Sequence, residues 1–334
     1  GLSSTGTFVS APTSSVDHIV YADFNGDLKA IPAGNVGDVF SFTASGPAWS
    51  GGGASWSTSG NGSTVDGVNF IGTTDNVPFN FKVSNQKAGR IASTGETFLG
   101  YQSGNSNSGV RNTGVGYQAL YANNFGDYNT GFGYQALRSN GIGAYNTGVG
   151  YNALYTNGVG GYNTGIGMEA LYTNSSGNYN VASGYRALYS NTSGQFNTAT
   201  GKDAVYSNTI GGSNTAHGYQ ALYTNVSGDG NTASGFQALY FNINATGNVA
   251  SGYRALYNSN GNYNTATGNE ALFNNTSGTN NTVVGTYAGR LNTTGTDNTA
   301  VGYSAGDSYT DGSYNTFVGS GTDVSAATLS NCVA

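Results

Sequence analysis

The chain has 334 residues, of which 55 are glycine and 13% are aromatic, while only 8% are charged. Disordered chains are usually rich in charge and poor in aromatic side chains, so this composition indicates an ordered chain. The net charge is −6 and the ten Lys and Arg residues form no cluster, which argues against a nucleic-acid or anionic-membrane partner. No apolar run reaches the length of about 20 residues that a membrane span needs.

Residues 1–95 differ in composition from the remainder, because they hold all four prolines and both tryptophans. We predict a β-rich attachment or assembly region here. The stretch HIVYADFNGDLKAI predicts a hairpin that turns at Asn25-Gly26. The later stretch NFIGTTDNVPFNFKVSNQKAGRI predicts further strands, with Pro78 at the start or edge of one. Between them, the glycine-rich residues 46–56 are interpreted as a linker.

A repeat of seventeen residues follows this region and predicts a second domain over residues 96–334. A degenerate copy begins at Glu96, and later copies open with an Asn. Each step is seventeen residues long, except the step from Asn248, which is sixteen. The opening residues are Asn112, Asn129, Asn146, Asn163, Asn180, Asn197, Asn214, Asn231, Asn248, Asn264, Asn281, Asn298 and Asn315. Such self-similarity is typical of a solenoid, here of about thirteen turns, in which each repeat is one turn.

The composition of one repeat predicts short strands rather than helices, because glycine, Asn and β-branched residues are poor helix formers. Counting from the opening Asn, position 5 is glycine, position 8 is Ala and position 12 is Asn in most copies. We expect two strands per turn, over positions 2–5 and 7–10. The Asn residues are expected at corners, with left-handed backbone and side-chain ladders along the axis. An interior of Gly and Ala is thin, so partner chains are expected to cover the apolar rows.

One segment shows the repeat in full register: Asn298-Thr299-Ala300-Val301-Gly302-Tyr303. This unit resembles the head repeat of YadA-like trimeric adhesins, and the Tyr-Gln-Ala-Leu-Tyr segments resemble the repeats of bacteriophage tail fibres. The resemblance covers residues 96–334. It implies an all-β, left-handed parallel β-roll and a homotrimer of side-by-side chains on a cell surface or virion tail. The repeat is longer than that of the adhesin head, and no membrane anchor is present in this segment.

No catalytic constellation can be assembled from the sequence. His18 and His217 lie in different regions, and the carboxylates of the repeats fall at different positions. We therefore predict no enzyme activity, no cofactor and no metal. The predicted function is an adhesive extracellular fibre that provides reach and multivalent binding to a surface glycan or other host-surface ligand. Two alternatives stay open: a filament subunit joined through residues 1–95, and a glycan-degrading tailspike.

Two rows of side chains are the candidate functional residues. Position 4 changes from apolar to polar in six successive turns, and a polar row of this kind is expected at the threefold axis rather than inside each roll. This row consists of Ser183, Thr200, His217, Ser234, Ser251 and Thr267. The aromatic residues of position 6, together with those of position 10, are interpreted either as ligand-facing platforms or as ladders. The position 6 row contains Tyr117, Tyr134, Tyr151, Tyr185, Tyr219 and Tyr253.

The last residues also carry two expectations. Asn331 lies sixteen residues after Asn315, so Asn331-Cys332-Val333-Ala334 is interpreted as positions 1–4 of another turn. We expect the gene product to continue beyond this partial turn. An isolated monomer is expected to be unstable, with dissociation of the trimer coinciding with unfolding.

Overall fold

A computed structural model describes the backbone of four strands between residues 18 and 50, and residues 72–323, 328 and 330–334. The described residues contain β-strands and turns and no helix. The chain divides into two compact units, residues 1–72 and 73–334. The boundary predicted near residue 95 falls inside the second unit.

The first unit contains two antiparallel hairpins. β1 (His18–Ala22) pairs with β2 (Leu28–Pro32), which confirms the predicted hairpin. Its turn, including Asn25-Gly26, lies outside the described residues. β3 (Val39–Thr43) pairs with β4 (Gly46–Ser50). Residues 46–50, predicted as the start of a linker, are therefore a strand, and residues 51–56 lie outside the described part.

The second unit begins with a hairpin that leads into the repeats. β5 (Phe79–Val83) starts directly after Pro78, as expected, and pairs with β6 (Gln86–Ile91). The two residues between them, Ser84 and Asn85, both have positive φ, which is the geometry of a tight hairpin turn. β6 then pairs antiparallel with β7 (Thr97–Leu99), the strand of the first turn.

The repeats form a parallel β-solenoid of about thirteen turns, as predicted. Strands from successive turns extend one sheet, which has sixteen strands including β5 and β6. Shorter strands in four turns form a second sheet. In chain order the strands are β8 (Thr113–Val115), β9 (Ala122–Asn123), β10 (Thr130–Phe132), β11 (Ser139–Asn140), β12 (Thr147–Val149), β13 (Thr156–Asn157), β14 (Thr164–Ile166), β15 (Thr173–Asn174), β16 (Val181–Ser183), β17 (Thr198–Thr200), β18 (Thr215–His217), β19 (Thr232–Ser234), β20 (Val249–Ser251), β21 (Thr265–Thr267), β22 (Thr282–Val284), β23 (Thr299–Val301) and β24 (Thr316–Val318).

The strand at positions 2–4 pairs in exact register with the same positions of the next turn. Thr130 pairs with Thr147, Gly131 with Gly148 and Phe132 with Val149. Position 3 is buried throughout the solenoid, whereas positions 2 and 4 lie on the outer side of the sheet. The small residue of the repeat is therefore the one that faces the interior, as the period of two along a strand requires.

The second predicted strand, over Gln-Ala-Leu-Tyr, is wrong. These residues form a turn, and the short strands of the second sheet lie at positions 11–12 instead. Gln118 and Leu120 both have left-handed backbone, with φ of 52° and 51°, and most later copies of positions 7 and 9 share this conformation. Two left-handed residues so close together bend the chain sharply, which a strand cannot do.

Leucine at position 9 is the main filler of the interior, which is less thin than its Gly and Ala content predicts. Leu120, Leu137, Leu154 and their later equivalents are completely buried, together with the Ala at position 8. A left-handed conformation costs a residue such as Leu about 1–2 kcal/mol. Burying the side chain stabilises the fold by about 1.5–3 kcal/mol, which offsets that cost.

Glycine at position 5 is required by both conformation and space. Its φ is 126–144° in the repeats, a region that side chains disfavour. A Cβ there would lie no more than 2.6 Å from the carbonyl oxygen of the same glycine in the following turn. Successive turns can therefore stack at sheet spacing only where this corner has no side chain.

Two ladders of buried Asn side chains run through the solenoid, which confirms the predicted ladders. In the first, the Oδ1 of Asn112 accepts a hydrogen bond from the backbone N–H of Asn129 at 2.7 Å, and the pattern repeats to Asn315. In the second, at position 12, the Nδ2 of Asn157 donates to the Oδ1 of Asn140 at 2.6 Å. The expected left-handed backbone is wrong for these Asn residues, since it occurs at positions 7, 9 and 17 instead.

The two ends of the solenoid are filled differently from its middle. In the first turn Phe98 occupies position 3 and Gly104 occupies position 9, and a Cβ on Gly104 would lie 2.6 Å from the Phe98 ring. Near the other end Phe317 takes position 3 and packs on Gly306, which takes position 9 of the preceding turn. Tyr309 replaces the Asn of position 12 and stacks on Phe317 at 5.3 Å. All three aromatic side chains are buried.

The sixteen-residue turn from Asn248 keeps the ladder of opening Asn residues in register. The N–H of Asn264 donates to Oδ1 of Asn248 at 2.8 Å, as in turns of normal length. The missing residue lies between Ser259 at position 12 and Gly261, which takes the place of the glycine at position 15. The shortening is therefore confined to one outer corner.

The final residues follow the seventeen-residue register rather than the predicted one. Cys332 N–H donates to Oδ1 of Asn315 at 3.0 Å, the role of an opening Asn. Asn331 has φ of 59°, as residues at position 17 do. The assignment of Asn331 to position 1 is therefore wrong by one residue, and Cys332 occupies that position.

Candidate binding surfaces

The outer side of the sixteen-stranded sheet carries the predicted polar row. Positions 2 and 4 of the turns between Asn112 and Val318 contain no Lys, Arg, Asp or Glu, and we call this surface the sheet face. His217 and Ser251 are exposed there and Ser183 is half-buried. Position 4 therefore does not fill the interior, as predicted. The position of Ser183, Thr200, His217, Ser234, Ser251 and Thr267 at a threefold axis stays a prediction.

Position 4 of the sheet face is apolar in the turns before and after this polar row, while position 2 is Thr in those turns. Phe132 and Ile166 are 55% and 46% exposed, and Val284, Val301 and Val318 are exposed in the last turns. Soluble proteins rarely leave large contiguous apolar surfaces uncovered, and such surfaces mark interaction sites.

An aromatic ladder at position 17 was missed in the sequence. Tyr128, Tyr145, Tyr162, Tyr179 and Phe196 stack in five successive turns, with ring centroids 4.8–5.1 Å apart. Their side chains are exposed, and they directly precede the opening Asn residues. The signal was present as a recurring Tyr-Asn pair, in which Tyr ends one block and Asn opens the next.

The aromatic residues of position 6 form ladders interrupted by two other side chains. Tyr117, Tyr134 and Tyr151 stack with centroids about 5 Å apart, and Tyr219, Phe236 and Tyr253 do the same. Met168 and Lys202 separate these stacks from Tyr185. Rings within a stack cover the faces of their neighbours, so a stacked tyrosine presents mainly its edge to solvent.

Position 10 carries the longest ladder, with eight consecutive rings from Tyr155 to Phe273. Neighbouring centroids are 5.0–5.2 Å apart, and the rings are half-buried. Burial raises the pKa of several of these phenols, including Tyr189 and Tyr223. Each stacked pair contributes about 0.5–1.5 kcal/mol beyond area burial. The ladder interpretation of the aromatic rows therefore describes their packing, while ligand binding stays untested.

The row of position 7 lies between the ladders of positions 6 and 10, and we call the surface formed by these three rows the tyrosine groove. The guanidinium of Arg186 lies 4.8 Å from the Tyr185 ring and 5.6 Å from the Tyr189 ring, and so reaches both walls. Arg186 also donates to Glu169 in the preceding turn at 2.8 Å. Gln237 continues the row by donating to Gln220 at 2.9 Å.

The distribution of charge separates the two surfaces. From residue 112 onward, each Lys and Arg lies at position 6, 7 or 10, that is, in the tyrosine groove: Arg138, Arg186, Lys202, Arg254 and Arg290. Glu169, Asp203, Glu270 and Asp307 lie there too, so the groove is close to neutral. Charged groups are costly to bury in an interface without partners. The sheet face is therefore the surface suited to contact between chains, and the groove is the surface suited to solvent.

Among the described residues, no group of three or more His, Cys, Asp or Glu is arranged to hold a metal ion. In the same part of the chain, no helix is long and apolar enough to cross a membrane. Comparisons with protein-family models, with curated proteins and with solved structures find no match to this chain.

Proposed function

We propose that the chain is a non-enzymatic structural segment of an extracellular adhesive fibre, on a cell surface or a virion tail. The observation that carries this proposal is the sheet face, which contains no Lys, Arg, Asp or Glu, is apolar at position 4 in its first and last turns, and is left uncovered by the described residues of the second unit. A β-solenoid fold is compatible with a fibre-like structural protein, because axial stacking gives length from a small repeat.

A second and a third copy of the chain are the partners that fit this face best. The rows of the sheet face recur once per turn, so a surface with the same spacing can match them over many turns. Another copy of the same solenoid has that spacing. The polar row of position 4 would then lie between copies, where water satisfies the hydroxyl groups.

Assembly also supplies the adhesive mechanism. Three parallel rods would present three equivalent outer surfaces, each repeated along the axis. Weak contacts to a surface glycan or another host-surface ligand then combine through avidity, without any reaction being catalysed.

The test is the mass and shape of the protein in solution. We expect sedimentation at micromolar concentration to give three times the 34.0 kDa chain mass, and electron micrographs to show short rods. We further expect Ser251→Arg to reduce the trimer, because it places a charge on the sheet face. Gln237→Arg is the matched control, since Arg occurs naturally at position 7, and it should leave the mass unchanged. A stable folded monomer would refute the proposal.

A further inference from the structure

One step of the tyrosine groove differs from the others because a lysine replaces a ring in its wall. Tyr185 and Tyr219 would each stack on a tyrosine at residue 202, but Lys202 occupies that place. Its Nζ lies 5.6 Å from the Tyr185 ring and 5.5 Å from the Tyr219 ring. Two aromatic faces therefore point toward a gap that holds the exposed side chain of Lys202.

The gap has the dimensions of one additional ring. Stacked rings in this wall are 5.1 Å apart per turn, as for Tyr219 and Phe236, and the gap spans two such steps. A ring inserted midway would lie about 5 Å from each tyrosine, which is an ordinary stacking distance. The lysine can leave by rotating toward solvent, because its long side chain has many accessible rotamers.

Position 7 next to the gap offers an unused hydrogen-bond acceptor. Asp203 is only 9% exposed, and no hydrogen bond from the described part of the chain reaches its carboxylate. Burial raises the pKa of this carboxyl, although Lys202 and Arg186 act in the opposite direction. The carboxylate oxygens still reach solvent, so the hydroxyl groups of a ligand can donate to them in place of water.

The charges around the gap balance one another. Lys202 and Arg186 are positive, while Asp203 and Glu169 are negative. A polyanion gains little from such a site. An extended peptide gains little either, because the backbone groups here already bond between turns, as Asp203 N–H does to the Tyr185 carbonyl.

Resting on the fibre function proposed above, we propose that this gap is a binding site for one pyranose ring of an uncharged glycan. The ring stacks between Tyr185 and Tyr219, and its hydroxyl groups donate to the carboxylate of Asp203. Neighbouring sugars of the same chain lie along the groove, over the side-chain amides of Gln220 and Gln237. The site is a place for recognition, with no bond made or broken.

Two substitutions drawn from the repeat itself test the site without altering the fold. Lys202→Tyr completes the aromatic wall, and Asp203→Gln installs the residue that position 7 carries in several other turns. Both variants should keep the thermal midpoint of the parent. Ser251→Thr on the sheet face is the control, because Thr occurs naturally at position 4.

The probes are the hexasaccharides of cellulose, starch, mannan and galactan, with a hexagalacturonate as an acidic comparison, in calorimetry and saturation-transfer NMR on the full chain. We expect at least one neutral probe to bind, at least tenfold more weakly to Lys202→Tyr and to Asp203→Gln, and unchanged to Ser251→Thr. No binding by any neutral probe, binding by the acidic probe alone, or equal binding to all variants would each overturn the site. The mass and rod shape are measured separately, so failure here leaves the fibre proposal standing.

Discussion

The middle turns and the end turns of the solenoid fill the same backbone in different ways. In the middle, a Gly or Ala at position 3 faces a Leu at position 9. In the first turn the sizes are exchanged, with Phe98 at position 3 and Gly104 at position 9. The last turns repeat the exchange with Phe317 and Gly306, and add Tyr309. The total side-chain volume in the interior is thus maintained. The large side chain can come either from position 3 on the strand or from position 9 in the turn.

The comparison also separates two kinds of stabilisation. A middle turn has a neighbour on either side, so its Asn side chains both donate and accept along the ladders. In the last turns the ladder of opening Asn residues continues to Asn315, whereas aromatic packing of Tyr309 on Phe317 replaces the ladder of position 12. Near the end, Asn292 is the last Asn at position 12, and Tyr309 follows it. Aromatic packing can therefore replace one polar ladder locally while the other ladder keeps the turns stacked.

The largest effect is expected from breaking a ladder in the middle. Asn208→Leu removes the donor to Oδ1 of Asn191 at 2.7 Å and the acceptor for Nδ2 of Asn225 at 2.7 Å. Each orphaned buried group costs about 1–3 kcal/mol, so unfolding should become easier by about 3 kcal/mol or more. Denaturant unfolding measures this loss. Asn124→Leu, on the exposed surface, is the control, and an equal loss there would contradict the assigned role of the ladder.

The next effect is expected from exchanging the large and the small interior residue of the first turn. Phe98→Ala alone should cost about 3–5 kcal/mol, and Gly104→Leu alone should destabilise by overlap with the ring. The double variant restores the combination found in the middle, and Gly104 has φ of 55°, as the Leu residues of that row have. We expect the double variant to recover most of the stability. Hydrogen exchange across the first turns measures this recovery. If the double variant loses as much stability as the two single variants together, the first turn cannot adopt the packing of the middle turns.

A smaller effect is expected where the middle is imperfectly filled. Val205 stands in the Leu row with φ of 52°, a conformation that β-branched residues disfavour. Val205→Leu adds one buried methylene group and should stabilise the chain by about 0.8 kcal/mol. The reverse change, Leu222→Val, should cost about 0.5–1.5 kcal/mol. Thermal unfolding of both variants measures these changes. A loss of stability in both variants would mean that side-chain volume alone does not determine the preferred residue at position 9.

The last effect is confined to alkaline pH and to the first turn, where Lys87 lies over the Phe98 ring. Burial, followed by repulsion from Arg90, lowers the pKa of Lys87 to about 8 from its usual 10.5. Between these values the unfolded chain binds more protons, so the stability of the first turn should rise as pH increases from about 8 to 10.5. Hydrogen exchange of the first turn, corrected for intrinsic rates, measures the change. Lys87→Met should remove this pH dependence, whereas Lys82→Met should not.

The period, the strand at positions 2–4, the glycine corner and the Asn ladders could be predicted because each leaves the same residue at the same position in many copies. The left-handed backbone of the Leu residues at position 9 could not be predicted. Leu120 shows no preference for positive φ in isolation, and only the stacking of neighbouring turns holds it there. For the same reason Gln-Ala-Leu-Tyr was interpreted as a strand, since its composition suits one.

The surfaces were predictable in part. The polar change at position 4 was visible as a row, and its exposure followed from the cost of burying hydroxyl groups. The ladder at position 17 is confined to five successive turns and ends at Phe196, so it is not part of the pattern that all copies share. The site at Lys202 is harder still to predict. It is a single departure from a row of tyrosines, and its meaning depends on the two rings that the solenoid places beside it.

The shortened turn has a consequence for how such molecules change over generations. Removing one residue between Ser259 and Gly261 leaves the ladder of opening Asn residues in register, so that corner tolerates a change of length that the sheet would not. Insertions at this corner should extend sideways as loops, while duplication of whole repeats extends the rod. Length and lateral decoration can therefore evolve independently, by different genetic events, within one uninterrupted scaffold.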